Sequence, residues 1–242
     1  GIINTPPVPT SHGLLVANVL RPQQLLDLDT GEDIATLAVD VGSYSSFAAI
    51  SGDTMYAVRR GKATAAAFPS GEIKWELEET ARSTSPPLVI GDKLVYSSSG
   101  SVAARDIATG EILWRVGHAH VGYQNAIPAA WDGQLLVNGT NLRSLDLENG
   151  KENWLVPCGR EADRFLRSRR QAMAGSSSPM VAGELAFFGH DDTSVRAVDA
   201  GGRVVWEHRL GTPIKTAPLV TGNLLLVHDF AGNLWCFSGA AQ

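Results

Sequence analysis

Two connecting segments of this chain carry the residues best suited to chemistry. The first, GHAHVGYQNA at 117–126, sets His118 and His120 at alternate positions beside Tyr123, Gln124 and Asn125. Alternate side chains can point the same way, so with a carboxylate from elsewhere the pair would hold zinc or another divalent ion. Two local ligands fall short of such a site. Hydrogen-bonded loop histidines are therefore the expectation, with no metal and no other cofactor. The second segment, CGREADRFLRSRRQAMAGSS at 158–177, sets five arginines against two acids. It is about ten residues longer than its counterparts, and long loops in compact domains commonly carry function. Its guanidinium forks suit a carboxylate or a phosphate. Residues 161–173 are expected to form a short helix, with Ala162, Phe165, Leu166 and Met173 on one side and Arg160, Arg164 and Arg167 on another. That helix is either a lid presenting the arginines to a ligand or a solvated element in which Glu161 and Asp163 pair locally.

Tyr44 in DVGSYSSF and Lys215 in GTPIKTAP occupy equivalent connections, and Arg82 belongs to another. The candidate ligand-binding set is thus Tyr44, Arg82, His118, His120, Tyr123, Gln124, Arg164, Arg167, Arg169, Arg170 and Lys215. His190 to Asp192 reads as turn chemistry first and a cation site second, and Asn138-Gly139-Thr140 as a hairpin turn ahead of a glycosylation sequon. No G-x-S-x-G, H-E-x-x-H, Walker loop or dinucleotide-binding glycine run occurs. An enzyme would have to use His118 or His120 as general base, with Tyr123 and an arginine stabilising developing charge.

What positions these segments is a repeat. Six stretches align, and their first turn glycines, Gly13, Gly52, Gly91, Gly133, Gly183 and Gly222, are spaced 39, 39, 42, 50 and 39. A second register, Gly31, Gly71, Gly110, Gly150 and Gly202, follows the first by 17 to 19 residues. Between the turns lie short apolar runs bounded by Gly, Asp, Asn and Ser, the signature of antiparallel strands in a meander. A unit of about forty residues cannot bury both faces of its sheet, so units must stack, and radial stacking leaves only short edges. The expected fold is an all-β propeller of about six four-stranded antiparallel blades in one domain over residues 1–242, the last blade incomplete. Because the sixth repeat ends without an outer strand, either GIIN closes the ring or the chain is part of a longer parent, and the second is favoured.

The most regular stretch, ARDIATGEILW at 104–114, explains the spacing. Asp106 can accept backbone N–H groups in an Asx-type turn while Gly110 takes a positive φ. Trp114 then offers a large apolar face to wedge between blades. The pattern A-x-D-x-x-x-G-x-x-x-W, nearly repeated around Asp146, Gly150 and Trp154 and around Asp199, Gly202 and Trp206, resembles the tryptophan-docking repeat of pyrroloquinoline quinone (PQQ)-like β-propellers over nearly the whole chain. Blade one has Ala35 for the tryptophan and blade two Ala67 for the aspartate. The quinoprotein dehydrogenases of that family are longer and bind their quinone over adjacent cysteines. Here only Cys158 and Cys236 occur, in distant repeats, and both are read as free. The resemblance therefore implies the fold and the non-catalytic scaffold and sensor branch, bacterial and extracytoplasmic, rather than the cofactor.

Twenty Lys and Arg against 25 Asp and Glu give a net charge of −5, which exerts no global pull on nucleic acid. No run of about 18 apolar residues exists to insert into a membrane. Within a blade, the second-to-third turns and the crossovers fall on one face, and that face gathers most of the basic residues, Arg21, Arg59, Arg60, Lys62 and Arg82 among them. It lacks the aromatic interleaving that base stacking requires. A monomeric binding domain is expected, whose crossover face takes a protein segment or an acidic small molecule and no nucleic acid.

Overall fold

A computed structural model describes residues 7–16, 23–37, 48–59, 61–80, 86–98, 100–117, 126–158 and 177–239. Among the described residues there is no helix, and the secondary structure is antiparallel strand throughout. The expected β-propeller fold is what the sheets display: five of four strands and a sixth of three.

The chain divides into two compact units. The first holds blade one, β1 (Val8–Thr10), β2 (Gly13–Val16), β3 (Gln23–Leu26) and β4 (Asp33–Leu37), and blade two, β5 (Ala49–Ser51), β6 (Thr54–Arg59), β7 (Lys62–Ala67) and β8 (Ile73–Glu78). It also holds most of blade three, β9 (Leu88–Ile90), β10 (Lys93–Ser98), β11 (Ser101–Asp106) and β12 (Ile112–Gly117). The second unit holds blade four, β13 (Ala129–Trp131), β14 (Gln134–Asn138), β15 (Leu142–Asp146) and β16 (Glu152–Val156), and blade five, β17 (Met180–Ala182), β18 (Leu185–Gly189), β19 (Ser194–Val198) and β20 (Val204–Arg209). Blade six has β21 (Leu219–Thr221), β22 (Leu224–His228) and β23 (Leu234–Ser238). The first strand of every blade is only three residues long, shorter than the apolar runs suggest.

Both turn registers are real. Every glycine of the two series has a positive φ, between 55° and 134°. In the second series the carboxylate of Asp106 accepts the N–H groups of Ala108 and Thr109, both at 2.8 Å, and Gly110 N–H returns to the Asp106 carbonyl at 2.8 Å. Those backbone donors, Thr109 first, hold the Asp106 carboxyl below its usual range. Asp27, Asp146 and Asp199 build the same cradle. Ala67 has no carboxylate, yet Gly71 N–H still reaches its carbonyl at 2.7 Å, so the turn survives without the aspartate.

Within each unit the core lies in seams between neighbouring sheets, and in each unit one such seam is closed by a tryptophan. In the first unit, Trp75 of blade two donates its indole N–H to the Ile107 carbonyl of blade three at 2.9 Å, and its ring lies against Gly110. In the second, Trp154 of blade four donates to the Ala200 carbonyl of blade five at 2.9 Å and lies against Gly202. The tryptophan thus docks onto the next blade's third-to-outer turn, where a side chain has no room. A Cβ on Gly110 would stand 2.7 Å from Trp75, and one on Gly202 would stand 2.5 Å from Trp154.

Gly202→Ala is therefore expected to lose about 3 kcal/mol by urea denaturation, from αL strain and overpacking together. Gly222, also at positive φ but with nothing within 4 Å of a Cβ, supplies the control. Gly222→Ala is expected to lose about 1 kcal/mol, the strain alone.

Candidate functional site

On the second unit, the segments that the sequence assigns to the crossover side meet in one polar cluster. The turn between β18 and β19, His190 to Thr193, carries it. The His190 carbonyl accepts the N–H of Thr193 at 3.2 Å and that of Ile214 at 3.1 Å, which ties the turn to the crossover from blade five to blade six. Ile214 is fully buried and packs so closely on Gly189 that a Cβ there would stand 2.1 Å from its Cγ2. Lys215, the next residue, is thereby held with its Nζ 3.8 Å from Asp191 Oδ1 and 5.3 Å from the ring centroid of Phe230, whose exposure is 69%.

The two neighbouring carboxylates behave oppositely. Burial pushes the Asp191 carboxyl above its usual range, against the pull of Lys215 and His190, and its Oδ1 is buried without a hydrogen bond. Asp192 is as deeply placed, and burial opposes its ionisation too. Hydrogen bonds from His190, Ser194 and Arg196 nonetheless hold it well below the usual range. Arg196 Nη2 reaches Asp192 Oδ2 at 2.6 Å, and its Nε reaches Glu207 at 3.2 Å. His190 Nε2 lies 3.0 Å from the Gly139 carbonyl while its Nδ1 accepts the Asp192 N–H at 3.2 Å. The ring thereby spans two blades.

A comparable network sits in the first unit, built from residues that the sequence does not single out. Arg105 is buried and donates to Tyr96 Oη at 2.9 Å, to Glu79 Oε2 at 2.9 Å and to the Gly110 carbonyl at 2.6 Å. Tyr96 in turn bonds Glu79, and burial together with that carboxylate raises its phenol to about 12. All of these groups are spent on one another, which makes the network cement between blades two and three.

Of the candidate ligand-binding residues, Lys215 alone is placed in this cluster. Tyr44, Arg82, His118, His120, Tyr123, Gln124, Arg164, Arg167, Arg169 and Arg170 lie outside the described residues, as does the expected helix at 161–173. Among the described residues no group of three His, Cys, Asp or Glu side chains gathers as a metal site. Cys158 is buried, with its thiol raised to about 11 by that burial, and Cys236 is exposed; neither is in a disulfide. The sequence pointed to His190–Asp192 as a turn but gave no sign that Asp191 would meet Lys215. The only available hint was that both stand on the crossover side of adjacent repeats.

Comparison with known proteins agrees with this architecture. The family model described as "Outer membrane protein assembly factor BamB" matches residues 24–165 and 161–241. No curated protein sequence matches. Among solved structures, BamB from Moraxella catarrhalis superposes with a TM-score of 0.79 at 18% identity, covering 96% of this chain and 72% of its own. The computationally designed Ika8 protein superposes with a TM-score of 0.73 at 13% identity, covering 96% and 70%. At such identities the likeness is one of fold.

The opposed carboxylates give a pH signature. Asp192, with its folded pKa depressed, contributes stability that is present above the unfolded value near 4 and lost as pH falls below it. Asp191, with its pKa raised, does the reverse, its contribution being present at low pH and lost as pH rises past the unfolded value. Asp192→Asn, which leaves Arg196 short of its partner, is expected to lose about 3 kcal/mol at pH 7 in urea titrations, with the loss shrinking steadily as pH falls below about 4. Asp191→Asn is expected not to destabilise at pH 7.

Proposed function

The chain belongs to the family of the outer membrane protein assembly factor BamB, and from that premise we propose that it is a non-catalytic, protein-binding β-propeller acting as an extracytoplasmic scaffold. The observation that carries this reading is how the repeat residues are used. Trp75, Gly110, Trp154 and Gly202 are consumed in docking one blade on the next, and the aspartates in holding the turns. Recognition then falls to residues outside the repeat, which are those of the crossovers.

The binding surface in this proposal is the crossover face, with the arginine-rich insertion 158–177 as its principal element. Lys215, held beside Asp191 and against the exposed ring of Phe230, supports it from the described part of that face. An array of guanidinium groups with an exposed aromatic ring suits an acidic segment of a partner protein, or an acidic small molecule, through bidentate pairing and ring contact. The domain acts as a monomer, a single propeller domain without affinity for nucleic acid, because the face carries no aromatic ladder for bases.

Replacement of Arg167, Arg169 and Arg170 together by alanine tests the reading. Immobilised wild-type chain is expected to retain partner proteins from a bacterial envelope extract, and the triple variant to lose them. The melting temperature should stay within about 2 °C, the outcome for side chains that serve recognition rather than packing. Loss of stability with unaltered retention would make the cluster structural.

A further inference from the structure

Within the turn between β18 and β19, two adjacent carboxylates are provided for unequally. Asp192 accepts the Ser194 N–H at 3.1 Å and Arg196 Nη2 at 2.6 Å, so its charge is matched and hydrogen-bonded. Asp191, whose side chain is 12% exposed, meets the Lys215 ammonium across 3.8 Å, and the Oδ1 on that side is buried and accepts no hydrogen bond. The backbone that carries it is firmly held. His190 N–H bonds the Ser194 carbonyl at 3.0 Å, Leu210 N–H bonds that of Thr193 at 2.9 Å, and Thr193, although β-branched, is kept at a φ of 72°. A strained residue of this kind persists where its surroundings over-determine it. The charged and titratable groups facing Asp191 are His190 and Asp192 of its own turn and Lys215 of the crossover. His190 is engaged with the Gly139 carbonyl and the Asp192 N–H, and Asp192 with Arg196. Lys215 is thus the group whose electrostatic surroundings change most with the charge on Asp191. A second neighbour, the ring of Phe230 at 5.3 Å, attracts an ammonium without neutralising it.

We propose that Asp191 is a pH-sensitive switch on the charge that the crossover side of blades five and six presents to an acidic segment of a partner protein. Ionised, its carboxylate offsets the Lys215 ammonium. Protonated, it no longer does so, and the ammonium beside the exposed Phe230 ring draws an acidic group more strongly. Binding therefore tightens as the surroundings acidify. The switch rests on the crossover face being the binding surface, and adds to that reading the regulation of one part of it. Burial, the largest influence on Asp191, holds its carboxyl above the usual range against the pull of Lys215. The proton is thus taken up above the ordinary aspartate value of about 4, where exposed acids of a partner are still anions. Asp192 is held the other way and keeps its charge through that window, so the device has one moving charge.

The probe is a rhodamine-labelled synthetic peptide of cysteic acids separated by alanines, whose sulfonates keep their charge at every pH used. Fluorescence anisotropy against the whole chain, at constant ionic strength from about pH 7.5 to about pH 4.5, is expected to show saturable binding that tightens as pH falls. The six histidines titrate over part of the same range, so the decisive quantity is the comparison with Asp191→Asn, whose amide imitates the protonated carboxyl. That variant should bind about threefold more tightly than the wild type at the upper pH, the worth of one exposed charge pair, and equally at the lower. Lys215→Gln should weaken binding about threefold at the lower pH and little at the upper. The variant lacking Arg167, Arg169 and Arg170 should bind more weakly throughout, with the effect of Asp191→Asn unchanged. Carbon NMR of the Asp191 carboxyl should show it titrating above about 4 without any peptide. Equal affinity of wild type and Asp191→Asn at both ends of the range overturns the switch and leaves the crossover-face reading standing. A carboxyl that titrates at or below about 4 does the same, as does tightening undiminished in Lys215→Gln. Absence of saturable binding by wild type and Asp191→Asn alike overturns both.

Discussion

A four-stranded sheet of forty residues has two apolar faces and no interior of its own, so each blade is stable only where its neighbour covers it. In this chain the cover is fixed by one contact, the indole of one blade laid on the turn glycine of the next. The contact joins three requirements at a single point. The ring needs a flat apolar floor, its N–H needs an acceptor, and the turn needs a residue that tolerates positive φ. Glycine supplies both the floor and the φ, while the carbonyl just after the turn aspartate supplies the acceptor, as seen at Trp75 with Ile107 and at Trp154 with Ala200. Spacing in the sequence follows from this geometry, because the ring can reach the turn only from a set place on the outer strand.

The irregular blades show that the seam is conserved in volume rather than in residue type. Blade one has Ala35 where the tryptophan belongs, which would leave a void. Blade two answers from the other side, because Phe68 stands at the position of Ile107 in the turn, with its N–H on the Asp53 carbonyl as that of Ile107 is on the Asp92 carbonyl. Phe68 is buried in one cluster with Leu15, Leu25 and Met55, and Ala35 packs against it. The large group has moved from the strand to the turn. Blades that look degenerate in sequence are therefore full members of the stack, each with four strands.

How much of this was legible beforehand follows from the range of the interactions. The turns are local, set by an aspartate and a glycine within five residues of one another, and both registers are found at the places the spacing gave. The direction of docking was not legible. Trp114 and its equivalents read as wedges between blades, but which blade's turn receives the ring depends on how consecutive sheets are offset. The polar clusters were harder still. Arg105 with Glu79 joins two repeats, Asp191 with Lys215 joins a turn to a crossover, and nothing in a single meander marks either pair. The insertion and the histidine crossover, chosen for composition, lie outside the described residues, so composition remains their only warrant.

The buried charges also separate structure from recognition. Arg105 is enclosed and satisfied by groups of its own network, so it offers a ligand nothing without first breaking four hydrogen bonds. Lys215 is held differently. Its neighbour Asp191 is a reluctant anion, since burial favours the protonated carboxyl, and the separation of 3.8 Å is that of an ion pair rather than a hydrogen bond. An acidic group brought to Lys215 would compete with a carboxylate whose ionisation burial disfavours, and it would meet the exposed ring of Phe230 as it did so. Within the described residues, that imbalance distinguishes the crossover side of blades five and six from the satisfied cement elsewhere.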